Sequence, residues 1–167
     1  MIKWTLIVLS VLALTALVVH VWGSRLPREH VAESARMIAA SPDAVASWIF
    51  DVERHPEWRK VARVDVVERA PGAIRYREHG PHGVIAFHLR ETEPGRAYES
   101  TIDDPTLPFG GRWLIAVAPS AEGARVVIRE EGFVKPPVFR FLTRYVFGHA
   151  ATIDAYLDAL AARARAG

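Results

Sequence analysis

Glu130 is the residue of this chain that its neighbours best prepare for chemistry. It follows Val126 and Ile128 at strand parity, so the carboxylate continues an apolar face. Glu78 stands in the same relation to Ile74 and Tyr76. Desolvation on an apolar face raises a carboxyl pKa, and two such groups sharing one space can divide acid and base roles. The bland alternative is open as well. Strand ends reach solvent, a bulge at Gly132 would change the parity, and Arg112 or Arg129 could make Glu130 half of an ion pair. His149 is the other candidate, on the apolar stripe of a C-terminal helical pattern beside Gly148. An imidazole there either bonds a ligand and carries a proton, or bonds a backbone carbonyl inside the core. Glu130 and His149 are therefore the candidate acid–base pair, should the chain be an enzyme.

Other chemistry finds less support. His79, His82 and His88 gather around the turn at Gly80-Pro81, but no acid is clearly placed beside them, so no metal is expected. The chain has no cysteine, which excludes disulfides, thiolate metal sites and cysteine nucleophiles. It contains no Gly-x-Ser-x-Gly elbow, His-Glu-x-x-His, P-loop or dinucleotide fingerprint, and no cofactor is expected. The net charge is only +2 and the arginines are scattered, often beside acids as in Arg129-Glu130-Glu131. A nucleic-acid binder concentrates its positive charge on one face, so no nucleic-acid partner is expected.

The elements that must position these residues follow from pattern. Ser41-Pro42-Asp43 starts a helix: an N-cap serine, proline at the first helical position and an acid in the first turn. That helix ends near Asp51, and a second short helix or turn is expected at Glu57–Lys60. A first strand is expected over Val31–Ala39, and six more between Val61 and Val134, separated by Pro/Gly turns. Tight connections make the sheet an antiparallel meander. A single long helix is predicted from Val138 to Ala164, with Phe139, Leu142, Val146, His149 and Ile153 on its apolar stripe.

Trp4 to Trp22 carries no charged side chain, includes eleven Leu, Ile or Val residues, and has a tryptophan at each end. As a helix it would be about 28 Å long, close to the roughly 30 Å of a bilayer core. A retained single-pass anchor fits better than a cleaved signal peptide, because the run is long and no Ala-x-Ala pattern follows it. Lys3 on one side and Arg25, Arg28 and Arg36 on the other leave the orientation open. The expected organisation is an anchor at 1–23, a linker at 24–30 and one domain at 31–167.

Several stretches resemble the SRPBCC superfamily, which includes START-type lipid binders and polyketide cyclase/dehydrase-like proteins. They are Ala39-Ala40-Ser41-Pro42-Asp43, Phe50-Asp51 with Pro56-Glu57-Trp58, Phe109-Gly110-Gly111-Arg112-Trp113, the strand Arg125–Gly132, and Thr152–Leu157. The resemblance implies an α+β helix-grip fold: a curved seven-stranded antiparallel sheet wrapped around a long C-terminal helix, here preceded by one transmembrane helix. It also implies a hollow between sheet and helix that holds an apolar molecule. Trp48, Trp58, Tyr76, Phe87 and Tyr98 would wall it, with Phe109, Trp113, Phe139 and Phe147, unless they simply fill a dry core. Two functions follow as expectations: a membrane-tethered carrier of a lipid- or isoprenoid-like molecule, or a cyclase/dehydratase-like enzyme working through Glu130 and His149. A third, a partner-recruiting module, would show an exposed apolar patch and no internal volume.

Overall fold

The computed structural model describes residues 2–81 and 83–166. An N-terminal helix, α1 (Ile2–Arg25), leads into β1 (Glu29–Ile38), α2 (Pro42–Phe50) and a short 3-10 turn at Val52–Glu57. Six strands follow: β2 (Arg63–Ala70), β3 (Ala73–Gly80), β4 (Gly83–Glu93), β5 (Ala97–Ile102), β6 (Phe109–Ser120) and β7 (Gly123–Val134). The chain closes with α3 (Pro137–Leu142), a π-type turn (Thr143–Phe147) and α4 (Ala151–Ala166).

All seven strands form one antiparallel sheet in the order β1-β7-β6-β5-β4-β3-β2. The meander places β2 at one edge, and β1 returns beside β7 to make the other. Ser41 caps α2 by accepting from the Ala44 amide at 3.2 Å, and Pro42 opens the helix as its sequence demands. On α4, Ile153, Tyr156, Leu157 and Leu160 are buried at helical spacing against the concave face of the sheet. Polar links fix its position: Ser34 Oγ on β1 donates to Asp154 Oδ1 at 2.5 Å, and Arg36 pairs with Asp158 at 2.7 Å. The apolar face carries the energy here, because the exposed pair contributes under about 1 kcal/mol while truncating a core leucine costs about 2–5 kcal/mol.

The structure corrects the expectation of one helix from Val138 to Ala164. The segment is interrupted at Gly148, whose φ of 79° and ψ of 150° end the helical path. A β-carbon built there would meet nothing, so Gly148 serves a change of direction and not a close helix–sheet approach. The second short helical element also moves, to Val52–Glu57, ahead of its expected place. β1 starts two residues early, at Glu29, which brings His30 into the sheet.

Helix α1 is long and apolar enough to cross a membrane; a signal sequence would pass the same test. Among its described residues, those that are not fully exposed lie in its second half, at Val19 and Gly23. Gly23 is buried, and a β-carbon there would lie 2.0 Å from the Pro137 carbonyl oxygen. Arg140 Nη1 donates to the Leu26 carbonyl at 2.7 Å, so α3 docks on the end of α1.

Candidate functional site

The concave face is unevenly filled. Near the α2 end it is closed, with Ile38, Ile74, Leu89, Ile115, Val126 and Ile128 almost wholly inaccessible. Toward the opposite end the inward positions are only half-buried. Strand register aligns them into a row: Phe87 opposite Ile102, Ser100 opposite Trp113, Trp113 opposite Glu130, and Glu130 opposite Ala32. The reason lies in the break at Gly148. The residues before it pack toward α1, and the last four turns of helix cover only the other half of the face.

Glu130 sits at the end of this row. The β6–β7 and β1–β7 registers run without a slip through Gly132, so the expected parity of Glu130 holds. Arg112 and Arg129 pair with Glu131 on the other face and not with Glu130. Its partner is His30, from the residue opposite Gly132, with Nε2 3.3 Å from Glu130 Oε1. Gly132 makes the room: a β-carbon there would stand 2.8 Å from the His30 ring and 3.0 Å from Glu130 Oε1. The His149 ring stacks on His30 at 4.4 Å between centroids. Two polar atoms of this cluster, Glu130 Oε2 and His149 Nδ1, are buried without a hydrogen-bond partner among the described residues. Burial holds His149 below its ordinary 6.5, helped by His30 and Arg144, while Glu130 pulls the other way. His149 is therefore a neutral imidazole at pH 7, able to accept or donate one hydrogen bond at the vacant nitrogen.

His30 was not legible as a site residue, because it follows Pro27 in what reads as a linker. The signal lay in the strand register, where position 30 faces Gly132 two residues beyond Glu130.

Glu78 belongs to a different arrangement. Its carboxylate accepts from Arg59 at both oxygens and lies 3.1 Å from His55 Nδ1. His55 Nε2 donates to the Ile49 carbonyl at 3.2 Å, and its Nδ1 lies 2.9 Å from Arg59 Nη1 as well as beside Glu78. Arg59 also lies over the Tyr156 ring, 4.9 Å from its centroid. The expected rise in the Glu78 pKa is reversed. Burial does push it up, but hydrogen bonds from His55 and Arg59 and the guanidinium charge hold it below 4.5. This buried network ties the 3-10 turn to β3 and supplies no free acid.

The remaining candidates divide between core and surface. Tyr76, Tyr98 and Ile153 are buried in the core; Trp48 lies under Arg163, whose guanidinium is 5.7 Å from its ring. Burial raises the Tyr76 and Tyr156 hydroxyls, so both stay protonated; the Tyr98 hydroxyl rises to about 12. Phe87 stacks on Tyr76, and Trp113 meets Tyr156 edge-on in the half-open row. Phe109 is half-buried at the start of β6, and Leu142 is half-buried at the end of α3. Phe139 and Val146 are 55% and 60% exposed, outside the sheet–helix space, because the break at Gly148 turns their segment away. His79 bonds Asp65 across the β2–β3 pair at 2.7 Å, and His82 lies outside the described residues. Among the described residues no group of three or more His, Asp or Glu is placed to hold a metal ion.

One depression of about 460 Å³ lies beside α2 at Ser47, Asp51 and Arg69, and another of about 630 Å³ at the β5–β6 loop around Ile102, Gly111 and Phe133. Under α4, Tyr156 fills the middle of the face, edge-on to both Trp58 and Trp113. Glu130 Oε2 and His149 Nδ1 are buried, so a guest that bonds them displaces the groups covering them.

Residues 29–165 match the family described as polyketide cyclase / dehydrase and lipid transport, and the chain belongs to it. No curated protein matches the sequence. Among solved structures it is similar to the di-domain aromatase/cyclase StfQ of the steffimycin biosynthetic pathway, at 20% identity and a TM-score of 0.67. That match covers 83% of this chain and 52% of StfQ, so the chain spans about half of that protein. A START superfamily protein from Mycobacterium smegmatis matches at 15% identity and TM-score 0.64, over 82% of this chain and 98% of that one. The Zhui aromatase/cyclase from Streptomyces sp. R1128 matches at 18% and 0.63, over 82% and 94%. These likenesses establish the fold alone, of helix-grip type; at such identities they carry no activity.

Proposed function

We propose that the chain is a membrane-tethered binding protein for a hydrophobic or amphipathic small molecule, lipid- or isoprenoid-like. The molecule lies along the half-open row, its apolar body against Phe87, Ile102 and Trp113 and its polar end at Glu130 and His149. The observation that carries this reading is the pair of vacant buried atoms, Glu130 Oε2 and His149 Nδ1, at the end of an apolar row. A buried polar group left unpaired costs about 1–3 kcal/mol, a cost that a hydroxyl or carbonyl end group would remove. The family description, which includes lipid transport, supports the same class of ligand.

Native mass spectrometry of the full chain released from mild detergent tests the proposal. One bound molecule per chain is expected, with occupancy reduced about tenfold in Glu130→Leu for the loss of one good hydrogen bond. A chain that carries nothing after exposure to a broad lipid panel overturns it.

The second reading is a cyclase/dehydratase-like enzyme with Glu130 and His149 as acid and base. The neutral state of His149 beside a carboxylate favours it, since such a ring can accept a proton at pH 7. On this reading Glu130→Gln and His149→Ala abolish turnover of a polyketone-like substrate and leave binding largely intact. Turnover that survives both substitutions excludes it.

A further inference from the structure

Between α3 and Gly148 the chain exposes large apolar side chains in a run. Val138, Phe139, Tyr145, Val146 and Phe147 are between 39% and 63% accessible. Burying such a patch needs a partner surface. Its position says which. Among the described residues of α1, only Val19 and Gly23 lose exposure, and Gly23 is pressed against the Pro137 carbonyl. Trp22, 54% exposed, is the residue before Gly23. A tryptophan closing an apolar span marks the headgroup level of a bilayer, and one helical residue further on is only about 1.5 Å away. The start of α3 is thus held at that level by the backbone of α1 and by the Arg140–Leu26 hydrogen bond. Arg25 and Arg28 follow Trp22 in the chain and Arg144 lies within the run; all three are exposed, as suits anionic headgroups.

We propose that Val138–Phe147 lies in the headgroup–acyl boundary of the same bilayer that α1 enters, as an interfacial cover over the Glu130–His149 end of the sheet. The inference rests on reading α1 as a membrane span. It gives the protein a route for its ligand: the cover, hinged at Gly148, opens toward the membrane and not toward water. His149 follows the hinge directly, so movement of the cover moves the polar end of the site.

The chain has no cysteine, so single cysteines can carry a fluorophore at chosen positions. Phe147→Cys reports the cover, Leu12→Cys the middle of α1, and Val67→Cys an exposed control on β2. Each full-length variant is placed in nanodiscs of phosphatidylcholine and phosphatidylglycerol, with bromine on the acyl chains as quencher. Quenching at 147 reaching at least half of that at 12, with none at 67, is the expected result. Quenching at 12 but not at 147 overturns the interfacial cover and leaves the anchor standing. Quenching at neither overturns both. Protection of position 147 from aqueous iodide without bromine quenching assigns the patch to a second copy of the chain, and that also overturns the proposal.

Discussion

His30 and Glu130 meet across the β1–β7 ladder, 3.3 Å apart, over the bare backbone of Gly132. The contact exists because the residue between them has no side chain. Gly132 is not in the left-handed region, so alanine is sterically the only issue there. In Gly132→Ala the new methyl displaces the His30 ring, breaks the pair and lowers ligand occupancy, with the fold retained. Native mass spectrometry and circular dichroism of the same sample check this. Unchanged occupancy would show that the pair has no part in binding.

Glu78 and Arg59 form a buried pair whose loss on one side leaves a charge stranded. Glu78→Leu costs about 3–5 kcal/mol by denaturant unfolding, and adding Arg59→Met restores much of it. Equal destabilisation of the single and double variants would refute the account.

The same pair sets an acid dependence. The Glu78 carboxyl is held below 4.5 in the folded chain, so its contribution to stability is complete above that value. It fades as pH falls from 4.5 through the lower folded pKa, because the unfolded chain takes up the proton first. Glu78→Gln flattens this part of the stability profile. Denaturant midpoints collected between neutral pH and pH 3 measure it, and parallel profiles would count against the assignment.

His149 titrates below 6.5, with burial as the main cause and His30 adding to it. Glu130 opposes that shift, so Glu130→Gln lowers the midpoint further and His30→Ala raises it. Proton chemical shifts of the imidazole followed against pH give all three midpoints. A midpoint above 6.5 in the native chain would place His149 outside the apolar cluster.

Gly148 holds a backbone conformation that other residues adopt only under strain. Gly148→Ala costs about 1–3 kcal/mol in unfolding experiments. A neutral effect would mean that the helix runs through this point in solution.

Much of the fold was legible. Ser41-Pro42 fixed the start of α2, and period-two segments ending in Pro/Gly turns gave six strands nearly in place. These features depend on a few neighbouring residues, so short windows contain the information. The C-terminal break was harder. The apolar spacing from Phe139 to Leu160 continues across Gly148 as though one helix carried it, and glycine in a helical pattern does not by itself signal a stop. Docking of Pro137 on Gly23, more than a hundred positions away, draws α3 toward α1. Glu78 misled for a related reason: parity shows that a side chain faces inward but not what meets it there. Arg59 and His55 come from a turn whose place over β3 no local pattern records.

The amino-acid sequence by itself determined the class of protein: an apolar N-terminal helix, a seven-stranded antiparallel sheet, a helical C-terminus and an inward-facing Glu130. Those follow from periodicity and turn chemistry, which act between near neighbours. Only the tertiary structure decided that Glu130 meets His30, that Glu78 is neutralised by Arg59, and that α3 docks on α1. Each of these depends on which distant backbones pack closely enough to touch, and packing is a property of the whole chain.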